Sequence, residues 1–261
     1  QIVASCLELI QQCVDTADQK FGNIINVGIA LQRSTFLFWD KITCEPQSPA
    51  LSWQDSRAYQ IVNELSEYNQ LIHEKSGVPL SAHFGGAKYQ HLIRNDPGLK
   101  SNVDKGDLWF GPLSAFLVHR LTGRPVVDHT IAGRSQLMDI TELKWDDELC
   151  SFYDVNQNCL PTLVPSVGDF GHIQPWGLPL NCIIGDQQSA LIGQGGLAEN
   201  FLAMNFGTSA SVLYHSGPFA KHIKGLLNNV LFSNEYETHY VTEGSINACN
   251  SLFYWLEDKL N

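Results

Sequence analysis

The sequence is short of charge, and shorter still of positive charge. Only 16% of its 261 residues are Asp, Glu, Lys or Arg, and 16 basic residues stand against 27 acidic ones, a formal net charge of −11. That balance argues against non-specific nucleic-acid binding, which needs clustered Lys and Arg to neutralise phosphates. It leaves room for a small anionic ligand held by a few backbone N–H groups. No apolar run approaches the roughly 18 residues of a membrane span. The chain opens without a basic segment leading into an apolar one, so neither a membrane partner nor a signal peptide is expected. It opens on Gln1 rather than Met, so translation is expected to start upstream. Cysteine pairs are missing too. Cys6, Cys13, Cys44, Cys150, Cys159, Cys182 and Cys249 are odd in number and widely spaced, with no Cys-x-x-Cys. Free thiols in a reducing cytoplasm are the plain reading. The nine histidines never fall at His-x-x-x-His spacing, so no structural metal is expected. There is no Walker A loop and no G-x-G-x-x-G run, so a nucleotide site would have to be of another kind. Internal repeats and low-complexity tracts are absent as well.

What is present is apolar mass: 44% of the residues are hydrophobic, enough for one large domain or two modest ones. Residues 2–19 carry one apolar face and predict a helix. The continuous apolar run 24–31 predicts a strand buried on both faces, and 35–40 predicts a second strand. Helical patterns cover 54–75, 84–95 and 107–122, with Gly77-Val78-Pro79, Asp96-Pro97-Gly98 and Gly123 as stops. A short helix starts near Trp145-Asp146-Asp147, and Pro161, Pro165 and Pro175 mark a long surface connection. Residues 179–185 predict a buried strand leading through Asp186 into a helix that ends at Gly193–Gly196. Residues 200–215 alternate as a hairpin with Gly207 at its tip. Strands near 227–232 and 238–242 precede a helix over 245–260. The mixture predicts α/β architecture. A shift from helix-rich to hairpin-rich sequence near Gly195–Gly196 divides it into 1–195 and 196–261.

Four segments could carry chemistry. In Gly185-Asp186-Gln187-Gln188 an apolar strand delivers a carboxylate at its carboxyl end, where ligands collect in open α/β sheets. A carboxylate there can take a proton from an attacking hydroxyl; the plainer alternative is a helix N-cap. Asn205-Phe206-Gly207-Thr208-Ser209 can aim backbone N–H groups at a phosphate, or be an ordinary hairpin turn. Gln32-Arg33-Ser34 follows the first apolar strand, and Arg33 is either a ligand group or half of a surface ion pair. In Ser52-Trp53-Gln54-Asp55 a flat apolar ring adjoins two directional polar groups, which suits a polyhydroxylated ligand, unless Trp53 merely packs in the core. His83-Phe84-Gly85-Gly86 is a weaker candidate of the same kind.

Taken in order, these segments resemble the FGGY carbohydrate kinase family, and its glycerol kinase branch above all. The run from Gly185-Asp186-Gln187-Gln188 to Gly195 is similar to the family's catalytic segment, and Asn205 to Ser209 to its second phosphate loop. Gln32-Arg33 followed by Trp53-Gln54-Asp55 is similar to its substrate-binding stretch. Gly106 to Gly111, Lys144 to Asp147 and Glu243-Gly244 before Trp255-Leu256 add to the likeness. The resemblance implies a ribonuclease-H-like fold of the actin/hexokinase type, in two domains around a cleft. It implies ATP-dependent phosphorylation of a sugar or polyol hydroxyl, with Mg2+ on the phosphates. By resemblance, Asp186 would be the general base, Gly207 and Thr208 would meet the ATP phosphates, and Arg33, Trp53, Gln54, Asp55, His83 and Gln187 would face the substrate. A homo-oligomer is compatible with it. Five positions differ from the glycerol kinase pattern. Ser34 replaces an acid, His83 a tyrosine, and His91 a tryptophan, while Asn250 and Tyr254 stand where a Gly and a Gln serve ATP. These changes favour a larger polyol or a ketose over glycerol. The family's opening Asp-x-Gly-Thr segment and its later adenosine-binding glycines have no counterpart in these 261 residues, which alone are therefore expected to be inactive. The reading from a different class is a non-catalytic sugar-binding protein on the same fold; a sugar-independent ATPase is a third.

Overall fold

A computed structural model of the chain describes residues 1–207, 210–246, 249 and 251–260. The chain opens with helix α1 (Ile2–Lys20). Strand β1 (Val27–Leu31) follows, and it is not buried on both faces: half-buried and exposed residues alternate along it. It pairs with one neighbour among the described residues and forms the edge of its sheet. β2 (Phe36–Asp40) is the strand enclosed on both sides. Phe36 and Phe38 point into one hydrophobic cluster and Leu37 and Trp39 into the other, as the two-residue period of a strand requires.

The helical pattern of 54–75 resolves into α2 (Tyr59–Glu64), a 3₁₀ turn at Ser66–Tyr68, and α3 (Asn69–Ser76), closed by left-handed Gly77. After α4 (Gly85–Asn95), Asp96-Pro97-Gly98 starts a helix as well as ending one. The Asp96 carboxylate accepts from the Gly98 and Leu99 amides, and Pro97 occupies the first position of α5 (Pro97–Lys105), where its missing N–H is not needed. Residues 107–122 are not one helix. Leu108–Pro112 is β3, antiparallel to β2 through Phe38↔Phe110, and only Leu113–Thr122 is helical (α6). The aromatic ladder across β2 and β3, with Phe38 and Phe110 ring centroids 4.8 Å apart, outweighs the helical periodicity.

Short elements follow: β4 (Val126–Asp128), α7 (His129–Ala132), β5 (Met138–Asp139), β6 (Lys144–Trp145) and α8 (Asp147–Phe152), which is capped by Asp146. The proline-marked connection holds two small strands, β7 (Thr162–Val164) and β8 (His172–Ile173). β9 (Leu178–Gly185) runs parallel to β1 with Leu31 opposite Gly185, and leads into α9 (Asp186–Gly193). The rest is an antiparallel sheet of β10 (Leu202–Phe206), β11 (Ala210–Gly217), β12 (Leu227–Ser233) and β13 (Thr238–Ile246), in the order β10-β11-β13-β12, then α10 (Ser251–Leu260). Leu191 of α9 is buried with Ala203, Leu213, Leu231 and Val241 of this sheet.

The Gly85-Gly86 pair opening α4 serves packing. A Cβ on Gly86 would run into the ring of Tyr153, which is fully buried and donates its hydroxyl to Gln136 Oε1 at 2.8 Å. Gly86→Ala should therefore destabilise the fold by about 1–3 kcal/mol through overpacking, although helix propensity alone favours alanine by up to ~1 kcal/mol. Urea unfolding checks it; a gain in stability would mean that α4 can slide away from Tyr153.

Candidate active site

Parallel pairing brings the carboxyl ends of β1 and β9 side by side, and both deliver a charge there. Beyond β1, Ser34 adopts a left-handed backbone (φ 50°), a conformation that a non-glycine residue holds only when its surroundings impose it. The resulting tight bend lets the Thr35 amide donate to the Arg33 carbonyl at 2.6 Å. Arg33 thereby turns toward the end of β9, and its Nε lies 3.6 Å from Asp186 Oδ1. Asp186 is the first residue of α9, and Gly185, not Asp186, is the N-cap. The Asp186 side chain is 46% exposed, so its carboxylate faces open space.

Arg33 is not half of a surface ion pair. Its side chain is 11% exposed, and its two terminal nitrogens donate to Glu243 of β13 at 2.8 and 3.0 Å. Arg134, buried just past α7, donates to the same carboxylate through Nη2. Burial works against the Arg33 charge, but Glu243 and Asp186 hold it above the ordinary arginine value. Glu243 would be pushed up by burial, yet Arg134 and Arg33 together hold it far below the usual carboxylate range, at about 2. All three groups stay charged beside Asp186.

The second wall is built on Lys88. This lysine is fully buried in α4, and its ammonium donates to the carbonyls of Ser34 (2.6 Å) and Ser52 (2.7 Å). One cation thus ties the Arg33 bend to the Ser52–Asp55 loop. Trp53 does not pack in the core: it is 47% exposed, its amide donates to Thr35 Oγ1 at 3.1 Å, and its carbonyl lies 3.2 Å from His83 Nδ1. Gln54 is exposed beside it. The Asp55 carboxylate turns onto its own loop, accepting from the amide and Nε of Arg57 at 3.0 Å. Burial would raise its pKa, but these bonds and nearby Lys88 bring it below the ordinary value. Gln187 Oε1 accepts from Ser211 Oγ at 3.1 Å, which draws the start of β11 against the first turn of α9. The β10–β11 ladder ends at Phe206↔Ala210, so Gly207 begins the connection close to that contact. Thr208 lies outside the described residues, as does Asn250, while Tyr254 is exposed on α10.

The structure therefore gathers Arg33, Asp186 and Gln187 at one strand end, and Trp53, Gln54 and His83 on the adjoining loops. Sequence reasoning missed Lys88 and Arg134 and assigned no charge role to Glu243. Lys88 had a legible signal, since it falls midway between Phe84 and Leu92 on the buried stripe of α4. Arg134 and Glu243 had none, because only the fold brings residues 33, 134 and 243 together. Among the described residues no three His, Cys, Asp or Glu side chains could hold a metal ion, and no helix is long and apolar enough to cross a membrane.

Residues 1–193 match the N-terminal domain of the FGGY family of carbohydrate kinases. A glycerol kinase of Bacillus cereus is 34% identical over 268 residues, covering 99% of this chain and 54% of the relative. Among solved structures, Plasmodium falciparum glycerol kinase with ADP superposes with a TM-score of 0.90 at 30% identity, over 97% of this chain and 53% of the other. A ligand-bound xylulose kinase from Lactobacillus acidophilus superposes with a TM-score of 0.83 at 19% identity, over 99% and 54%. The chain spans about half the length of the relatives it matches.

Proposed function

Since the chain belongs to the FGGY family of carbohydrate kinases and has their α/β, ribonuclease-H-like fold of the actin/hexokinase type, we propose that the protein transfers a phosphoryl group from ATP to a hydroxyl of a sugar or polyol. The observation that carries this reading is the exposed Asp186 carboxylate at the carboxyl end of parallel β9, held beside Arg33. Phosphoryl transfer asks little covalent chemistry of a protein; it asks for positioning, charge stabilisation and a proton acceptor. Asp186 takes the proton of the attacking acceptor hydroxyl. Arg33 and Gln187 hold the acceptor from the strand ends. Trp53 offers a flat face, and Gln54, Asp55 and His83 offer hydrogen bonds along the adjoining loops.

ATP, when bound, supplies the electrophilic γ-phosphorus. Gly207, close to the Gln187–Ser211 contact, fits a polyphosphate approaching the first turn of α9, and Thr208 completes that loop in this reading. The described residues do not make a magnesium centre: Glu243 is consumed by two guanidiniums. Magnesium would ride on the triphosphate. The acceptor is a polyol larger than glycerol, or a ketose. This rests on Ser34, which offers no carboxylate at the acceptor's edge, and on the imidazole of His83 at the rim. The boundary near residue 195 separates the acceptor-binding lobe from the start of the ATP-binding one.

The test is an ADP-release screen of the complete protein against glycerol, four- to seven-carbon polyols and ketoses. Acceptor-dependent ADP formation, with a larger polyol or ketose preferred over glycerol, is expected. Acceptor binding without ADP formation would favour a sugar-binding protein, and ADP formation at full rate with no acceptor would favour an ATPase.

A further inference from the structure

The Arg33 guanidinium lies against the proposed base, and one buried carboxylate engages both it and a second guanidinium, that of Arg134. We propose that Glu243 is a positioning residue of the phosphoryl transfer: by binding Arg33 and Arg134 it keeps both from closing on Asp186, which stays open to accept a proton. The inference rests on Asp186 being the base.

The charged groups around Asp186 come from three elements. Arg33 follows β1, Arg134 follows α7, and Glu243 lies on β13. Glu243 takes Nη1 and Nη2 of Arg33 at 2.8 and 3.0 Å and Nη2 of Arg134, with Ser245 Oγ 3.4 Å from its Oε1. With both terminal nitrogens occupied, Arg33 presents Nε to Asp186 at 3.6 Å, a near contact rather than a two-pronged clamp. Arg134 has less to hold it. Its Nε is buried with no hydrogen-bond partner among the described residues, and besides Glu243 its guanidinium lies over the Phe84 ring at 5.8 Å. The four groups sum to zero charge. Without Glu243 the sum is one positive, and Asp186 becomes the only anion of the remaining three. A guanidinium then pairs with it through two hydrogen bonds, the strongest geometry available to both. A carboxylate so paired is a weaker base, because a nearby opposite charge stabilises its ionised form.

Glu243 is not needed to dock the four-stranded sheet. Asn229 Nδ2 donates to the Thr130 carbonyl (2.8 Å), Gln188 Nε2 to the Val230 carbonyl (3.1 Å), and His129 Nδ1 lies 2.9 Å from Ser233 Oγ. A substitution at 243 can thus be read in chemistry rather than in collapse.

The experiment measures kcat/KM against pH for the complete enzyme, with the acceptor that the screen identifies. Its acid limb reports ionisation of the essential base in the free enzyme. Glu243→Gln should shift that limb down by about 1 pH unit and lower the plateau by about tenfold or more. Glu243→Asp keeps the charge and should leave the limb in place. Arg134→Gln removes a cation and should move the limb up. An Asp186→Asn control separates the two ideas: if that enzyme keeps its rate, the base assignment fails and this inference falls with it. If Asp186→Asn is inactive but the acid limb stays put in Glu243→Gln and Arg134→Gln, the inference alone is overturned. Arg134→Gln decides by itself should Glu243→Gln fail to fold.

Discussion

Asp186→Asn in the complete protein is expected to lower kcat by about 10²–10⁴-fold while the fold stays intact. The substitution keeps the size of the side chain and removes its ability to take a proton. Its structural consequence should be small, because Asp186 is not the cap of α9. Gly185 is the N-cap and no side chain caps the helix; among the described residues Asp186 accepts from the neighbouring Gln187 amide at 2.7 Å and lies 3.6 Å from Arg33 Nε. Losing a negative charge from the first turn of a helix is worth no more than about 1 kcal/mol. The acceptor KM should change little, since an amide can still accept a hydrogen bond from the hydroxyl. A kcat within threefold of wild type, at any stability, would remove Asp186 from the chemistry. A capping role alone predicts the reverse pattern: a lower melting temperature and an unchanged rate.

The parts of this site that lie close together in the chain were legible in the sequence. Gly185-Asp186 reads as a strand end entering a helix because an apolar run of the right length precedes a carboxylate, and the fold keeps that local logic. Trp53-Gln54-Asp55 reads as a ligand-facing loop because a flat ring adjoins two directional polar groups, and the alternative of core packing fails because Trp53 is half exposed. Where local pattern and tertiary pairing disagree, pairing wins. Leu108–Pro112 has helical spacing, but Phe110 completes a ladder with Phe36 and Phe38 that no helix could make. Val27–Leu31 is apolar throughout, yet as an edge strand it leaves alternate residues exposed. Asp96-Pro97 is ambiguous for a different reason: the same residues stop one helix and start another. The Arg33–Glu243–Arg134 cluster was invisible because its members are more than 100 residues apart, and each looks like an ordinary surface charge until the two sheets meet.

Lys88→Met should weaken acceptor binding and the fold together. Its ammonium is the only side-chain group bonded to the Ser34 and Ser52 carbonyls among the described residues. Methionine fills the volume but leaves the buried Ser34 carbonyl without its donor, which costs about 1–3 kcal/mol of stability, while the Ser52 carbonyl keeps the Asp55 amide at 2.9 Å. The Arg33 bend and the Trp53 loop are then free to part, so the acceptor KM should rise about tenfold or more while the KM for ATP holds. Lys88→Gln can donate to one of the two carbonyls and should recover part of both losses. The wild-type enzyme carries its own control in pH. Burial pushes the Lys88 ammonium down to about 8, against the pull of Asp55. Between about 8 and the ordinary value of 10.5 the unfolded chain therefore binds more protons at this site than the folded one, and its contribution to stability rises with pH there. Acceptor affinity should move the opposite way, because a neutral amine holds the carbonyls less tightly. An acceptor KM that climbs above pH 8 in wild type but stays flat in Lys88→Met would identify this lysine as the tie between the two loops. Parallel pH profiles in the two enzymes would reduce it to a packing residue.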